Sequence, residues 1–371
     1  MERRTFLKQA TISVGATVAS ALAQSDGAPI RTAMIGVGNR GGSVLKSVIQ
    51  QPGVKVVALC DLKPDRLDAA ATTAARDRPD TFKDYRKLLE RNDIDAVFID
   101  TPCDLHVEMS MAALAAHKHV YCEKPLGITP QSIAQLLQAA RGSDRVFCVG
   151  QQMRSFKSIR ESIEKLHQGI AGEIIMVKAQ RHASWDLNHT GSSAEWFFDA
   201  KRSGDVIVEM AVHNLDLCNW AIGSRPERAA GYGGTLLWKN DPIGRTNMDG
   251  YSLSYEYANG VKMSFTQTFF HPSGLPGGGQ YTNVFGTKGA VSLDTFKFYP
   301  LEKGGSPVTL SEPEKEQDAP HLAGFFNAIR TGSKPPADMK IGATAALTAI
   351  MGREAIYSGK VVSWKDLGVD V

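Results

Sequence analysis

Ile30-Arg31-Thr32-Ala33-Met34-Ile35-Gly36-Val37-Gly38-Asn39-Arg40-Gly41 decides how this chain is read. An apolar run leads into G-x-G-x-x-G, and a helical pattern opens at Gly42. The motif alone is a weak signal, but its context supplies the mechanics. Glycines allow a sharp turn and close backbone approach, and the following helix N-terminus faces a pyrophosphate. Gly36, Gly38, Asn39, Arg40 and Gly41 are therefore expected to hold a dinucleotide. A second apolar run, Val54–Cys60, ends at Asp61. A carboxylate there accepts hydrogen bonds from ribose hydroxyls and repels a 2′-phosphate, which favours NAD over NADP. Arg40 and Lys63 leave NADP open as the alternative.

From this turn outward, short apolar runs and helical patterns alternate. Runs at Ala96–Asp100, His119–Cys122 and Val146–Val149 complete a set of buried strands, with helices expected between them. Such alternation builds a doubly wound parallel sheet over residues 30–150. After Gly150 the pattern changes. A helix near Ser155–Gln168 and a strand at Glu173–Arg181 precede an irregular stretch to Arg202. One helix is predicted over Val206–Ile222, then alternating strands, then helices at His321–Arg330 and Ile341–Tyr357. Residues 151–371 thus read as an α+β domain with an open, largely antiparallel sheet.

Length and composition agree with two domains. The chain has 371 residues, 43% of them hydrophobic and 22% charged, with a net charge of +3. Residues 1–23 carry Glu2, Arg3, Arg4 and Lys8, so the remainder is near +1. No basic run argues for nucleic acid or an anionic membrane surface. Arg3-Arg4, the weakly apolar stretch Ala10–Ala23 and its Ala21-Leu22-Ala23 ending read as a removable twin-arginine signal, followed by a linker at residues 24–29. The stretch is too short to span a bilayer, so no membrane insertion is expected once it is removed. The expected address is periplasmic or otherwise exported, where no soluble nicotinamide pool exists, so the cofactor is expected to be tightly held. The five cysteines are odd in number and show no framework spacing, which suits small buried hydrophobes.

The candidate chemistry follows the strands. Thr101-Pro102 and His106 fall at the carboxyl edge of the sheet, where ligands bind in doubly wound folds. His106 reads equally as a packing histidine. Glu123-Lys124-Pro125 follows the strand His119–Cys122, and an ammonium there can orient a hydroxyl and assist proton movement. Glu209 and His213, four apart, share one face of a helix, and a neutral imidazole is a natural base for a carbinol proton. Arg154 enters the site or anchors the interdomain helix. His182, Trp185, Asp186 and His189 form a polar-aromatic insertion at the substrate rim. Nothing fixes their geometry as metal ligands, and no metal is expected.

Taken in order, the strand–G-x-G-x-x-G–helix, the acid ending the second strand, Glu123-Lys124-Pro125 and the Glu209-x-x-x-His213-x-x-Asp216 helix resemble the Gfo/Idh/MocA oxidoreductases. That family is named for glucose–fructose oxidoreductase, inositol dehydrogenase and a rhizopine-catabolism protein. The resemblance covers residues 31 to 358. It implies a Rossmann domain, a mixed α/β domain whose open sheet often mediates homo-oligomers, and hydride transfer between NAD(P) and a sugar or cyclitol carbinol. Lys124 matches the family's active-site lysine and His213 its general base. Glu209 stands where inositol-dehydrogenase-like members carry an aspartate, which reshapes the pocket floor. The resemblance also implies a cis Lys124–Pro125 bond. The substrate contacts expected are Arg154, His182, Trp185, Glu209 and His213. The alternative is an NAD-dependent glycosidase, in which transient ring oxidation, elimination and re-reduction leave no net redox change.

Overall fold

The computed structural model describes residues 27–183, 192–314 and 319–371. The signal segment, residues 24–26 of the linker and Trp185, Asp186 and His189 lie outside the described residues.

Six strands, β1 (Ile30–Ile35), β2 (Val54–Cys60), β3 (Asp80–Phe82), β4 (Ala96–Ile99), β5 (His119–Cys122) and β6 (Phe147–Val149), form one sheet in the order β3-β2-β1-β4-β5-β6. Every pairing is parallel. The helices α1 (Asn39–Val48), α2 (Pro64–Thr73), α3 (Tyr85–Leu89), α4 (His106–Ala115) and α5 (Pro130–Ala139) cross between them. Burial on both faces explains the unbroken apolar run Ala96-Val97-Phe98-Ile99, in which every residue is fully buried. The order reverses between β1 and β4, so the carboxyl ends of those strands flank a crevice. Strand β3 was not legible in sequence, because three polar-flanked residues at a sheet edge carry no periodicity.

The second part contains α6 (Lys157–His167), β7 (Ile174–His182), α7 (Ala200–Ser203), α8 (Val206–Glu209) and α9 (Val212–Ile222), followed by β8 (Pro226–Gly234), β9 (Gly250–Tyr257), β10 (Lys262–Thr268), β11 (Gly279–Gly286), β12 (Gly289–Ser292), β13 (Lys297–Pro300) and β14 (Val308–Thr309). Its nine-stranded sheet runs β14-β13-β12-β11-β7-β10-β9-β8-β15, where β15 is Val362–Ser363. Only the β7–β10 pair is parallel; the others are antiparallel. Alternation assigns the two faces. Val177 and Ala179 of β7 are buried with Met263 and Phe265 of β10, whereas Met176 and Lys178 are exposed. Strand β8, with sequence Pro-Glu-Arg-Ala-Ala-Gly-Tyr-Gly-Gly, gave no strand signal, and its ladder to β9 is what extends it.

Two helices close the chain, α10 (Pro320–Thr331) and α11 (Met339–Ser358). Leu322, Phe325 and Phe326 of α10 are buried in the core of the first sheet, with Phe325 edge-on to Phe98 at 5.5 Å and Phe98 stacked on Tyr121 at 5.0 Å. The single helix expected over Val206–Ile222 is broken between Glu209 and Val212. That break matters for the site.

Candidate active site

A cleft of about 910 Å³ opens at the carboxyl ends of β1, β2, β4 and β5 and is closed from the other side by β7, α8 and α9. Gly36, with φ +87°, and Gly41 shape its floor. A Cβ on Gly36 would sit 2.7 Å from the Asp100 carbonyl, and one on Gly41 would lie 2.0 Å from the Gly36 carbonyl oxygen. Neither position can hold a side chain without moving backbone. Gly38 caps α1 without a side-chain hydrogen bond, which leaves the helix N-terminus clear. Asp61 accepts from the Val37 amide at 2.9 Å and the Lys63 amide at 3.0 Å, and each oxygen keeps a lone pair for a ribose hydroxyl. A turn that only glycine can make, an uncapped helix end and an acid at the end of β2 fit a dinucleotide.

Gly36, Gly38, Asn39, Arg40, Asp61, Thr101, Pro102, His106, Glu123 and Lys124 all line this cleft, and Gly41 packs beneath the turn. His106 is 1% exposed, and its two ring nitrogens contact the Pro125 carbonyl at 2.7 Å and the Thr101 carbonyl at 2.9 Å. It braces the two loops against each other. Arg40 does not reach toward Asp61. Its guanidinium contacts Glu123 at 2.6 Å and donates to Gln152 at 2.6 Å, so it is engaged away from the position a 2′-phosphate would take beside Asp61.

The Arg40–Glu123 pair organises a buried group of ionisable side chains. Burial disfavours the Glu123 charge, but Arg40 and Lys124 outweigh it and hold the carboxyl below its usual range. Asp100 has the opposite fate. Burial, reinforced by Glu123, pushes it well above the usual carboxylate range, and both oxygens lack a hydrogen-bond partner among the described residues. Burial thus disfavours a second carboxylate charge beneath the glycine turn, beside Glu123. His321, carried in from α10, lies near the same pair; burial lowers its pKa to about 4, with Glu123 opposing and Arg40 adding to the effect.

On the opposite side, Lys124 Nζ donates to the Glu209 carboxylate and to the Glu209 backbone carbonyl, both at 2.6 Å. The break between α8 and α9 leaves that carbonyl available to it, which one continuous helix would not. The Lys124–Pro125 bond is cis. His213 lies one helical step beyond the break and lines the same cleft. Its Nδ1 is 3.1 Å from Gln151 Oε1. An amide oxygen there accepts Nδ1–H, which fixes the tautomer and leaves Nε2 as the lone-pair nitrogen. Burial, then Lys124, Arg181, Arg40 and His321, hold the imidazole well below its ordinary pKa, so it is neutral at neutral pH.

Not every expected contact arrives. Arg154 is held by Asp216 at 2.7 and 2.8 Å and lies 4.8 Å from the Trp220 ring centroid, in a separate depression beside α11. It anchors α9 instead of entering the cleft. His182 is on the other face of β7, where it bonds Thr266 Oγ1 at 2.8 Å and stacks near His271. The strand period turns its neighbour Arg181 into the cleft in its place. Trp185 lies outside the described residues. Sequence reasoning gave no role to Arg181, Gln151, Asp100, Trp196 or Phe197. Only Arg181 carried a usable signal, since it continues the Val177, Ala179 alternation.

Comparison with known proteins agrees with this arrangement. Residues 30–151 match the profile described as an oxidoreductase family with an NAD-binding Rossmann fold, and residues 159–292 match the GFO/IDH/MocA C-terminal domain. The chain is 21% identical over 352 residues to myo-inositol 2-dehydrogenase of Thermotoga maritima, spanning 91% of this chain and 99% of that protein. It is 30% identical over 189 residues to a glycosyl hydrolase family 109 protein of Stenotrophomonas maltophilia, spanning 48% of this chain and 42% of that one. The solved complex of levoglucosan dehydrogenase with NADH and levoglucosan shares the fold, with a TM-score of 0.77 at 19% identity over 90% of this chain and 99% of that one. With its two halves matched in order and its cleft built from the motifs that carry the resemblance, the chain belongs to the Gfo/Idh/MocA family of oxidoreductases.

Proposed function

We propose that the protein transfers a hydride between a tightly held NAD and a carbinol carbon of a carbohydrate. The reading is carried by one observation: His213, neutral and oriented by Gln151, lines the same cleft as the glycine turn and the Lys124–Glu209 pair. A nicotinamide dinucleotide supplies the hydride acceptor when bound. His213 Nε2 takes the hydroxyl proton as the carbinol is oxidised, and returns it in the reverse direction. Lys124, fixed by two hydrogen bonds to Glu209, orients the hydroxyl oxygen and steadies the charge that develops on it. Trp196 and Phe197 supply apolar wall against which a sugar ring can stack. Asp61 and the engagement of Arg40 elsewhere favour NAD over NADP.

Export by the twin-arginine route is part of this proposal, supported by Arg3-Arg4 and the Ala21-Leu22-Ala23 ending. A protein exported in folded form can carry its nucleotide with it and regenerate it with a second sugar. Self-association is proposed through the open sheet face, where Met176, Phe285 and Tyr299 are exposed. The second reading, a redox-neutral glycosidase, is favoured by the family 109 relative. It requires another base near the carbon adjacent to the oxidised one.

The test is to purify the protein without added nucleotide, identify bound NAD(H) by mass spectrometry, and then add carbohydrates. Stoichiometric reduction that halts until a second sugar arrives is expected. Aglycone release without accumulated NADH would instead select the glycosidase. Protein that neither retains nor binds NAD(H) refutes both readings.

A further inference from the structure

The charges that line the cleft are almost all accounted for within the protein. Arg40, Arg66, Arg86, Lys124 and Arg202 each have a carboxylate oxygen within 2.6–3.3 Å. Lys63 and Lys83 follow β2 and β3 and belong to the nucleotide side of the crevice. Arg181 differs from both sets. It enters from β7 in the second sheet and has no side-chain hydrogen bond or ion pair among the described residues.

Its position is set by the sheet. Val177 and Ala179, four and two residues earlier on the same face, are 0% and 2% exposed, so the alternation that buries them directs Arg181 under the helices and toward the cleft. The groups it faces are Glu209, already bonded to Lys124, the phenol of Tyr251, and His213. Burial lowers the Arg181 pKa, with Glu209 and Tyr251 opposing. A partly buried guanidinium with no anion bonded to it is an expensive arrangement, and a ligand anion would complete it. Five planar donors in a fork match a carboxylate in bidentate fashion. One uncompensated positive charge also matches a monoanion, whereas a dianionic phosphate would leave excess negative charge beside Glu209.

We propose that Arg181 is a substrate-recognition residue and that the substrate is a sugar acid, a carbohydrate bearing one carboxylate group held by the Arg181 guanidinium while a ring hydroxyl meets Lys124 and His213. This rests on the reading of the cleft as a carbohydrate oxidoreductase site and narrows the substrate class within it.

The experiment uses the full chain with its nucleotide. Binding of D-glucuronate, D-galacturonate, D-glucose, D-galactose and D-glucose 6-phosphate is measured by calorimetry, and nicotinamide absorbance is followed in parallel. Uronates are expected to bind at least about tenfold more tightly than their neutral parents, the range of a charge-assisted hydrogen-bonded pair. Arg181→Gln is expected to erase that preference while leaving neutral-sugar binding within about twofold, and Arg181→Lys to retain part of it. The wild-type panel needs no variant, so a poorly folding substitution does not protect the idea. Equal affinity for uronates and neutral sugars overturns it, as does tighter binding of the phosphate ester. Equal loss of both classes in Arg181→Gln also overturns it, since that marks a purely structural residue. Uronate binding that depends on Arg181 without any nicotinamide reduction supports this inference and sinks the redox reading. Reduction confined to neutral sugars does the reverse.

Discussion

On the nucleotide wall of the cleft, backbone makes the site: Gly36, Gly38 and Gly41 set a turn, and Asp61 is pinned by two backbone amides, those of Val37 and Lys63. On the substrate wall, side chains from distant parts of the chain make it. Lys124 meets Glu209 across 85 positions of sequence, and Gln151 meets His213 across 62. The first wall is rigid because its shape follows from which residues lack a Cβ. The second depends on how two sheets pack, so its geometry responds to changes that never touch a ligand. The same division explains Asp216 and Arg154, which spend their charges on each other to hold α9 in place.

The comparison can be broken most forcefully at the turn. Gly41→Ala would bring a Cβ to 2.0 Å from the Gly36 carbonyl, so backbone must move. Overpacking of this kind costs about 1–3 kcal/mol, and here it closes the nucleotide site as well. The variant is expected to purify without NAD(H), which mass spectrometry checks. On the other wall, Lys124→Met should keep the nucleotide yet slow single-turnover reduction by about 10³-fold, within the span of general acid–base effects. Lys124 helps hold His213 below its ordinary pKa, and its loss raises that value toward 6.5. Neutral His213 is the working base, so the acid limb of the residual pH–rate profile should move to higher pH. An unmoved limb would separate the two residues electrostatically.

A smaller effect is expected from Arg154→Met. It leaves Asp216 buried and unpaired, worth about 3 kcal/mol of stability in chemical denaturation, with single-turnover rates unchanged. Burial already pushes Asp216 up despite Arg154. Without the guanidinium its folded pKa rises further above the unfolded value, so the destabilisation should shrink as pH falls and the carboxyl takes up a proton. A rate defect at full folding would return Arg154 to the active site. The mildest change is Gln151→Leu, which frees the His213 ring to adopt either tautomer. A loss of about tenfold in single-turnover rate is expected, with bound nucleotide unaffected.

Much of the first wall is legible in the sequence. The strand ends at Ile35 and Cys60 fall where periodicity put them, because a sheet buried on both faces writes itself as apolar runs. Lys124, Glu209 and His213 were found from motif spacing, and all three line the cleft. The errors share a cause. Reading Val206–Ile222 as one helix overlooked the break at Met210 and Ala211, which apolar pattern does not report because both residues are buried. His182 was expected at the substrate rim, but one residue along a strand exchanges one face for the other, and it is Arg181 that lines the cleft. Strand β8 was silent because its glycine-rich sequence is extended by its partner and has little preference of its own.

By itself the sequence determined the dinucleotide turn, the parallel sheet and the residue types of the chemistry, because glycine conformational freedom and burial period are local properties. Tertiary structure alone decided that Glu209 offers both a carboxylate and a carbonyl to Lys124, that Gln151 orients His213, that Arg154 turns away and that Arg181 lines the cleft. Those facts depend on which faces meet when two sheets pack, and no window along the chain contains both partners.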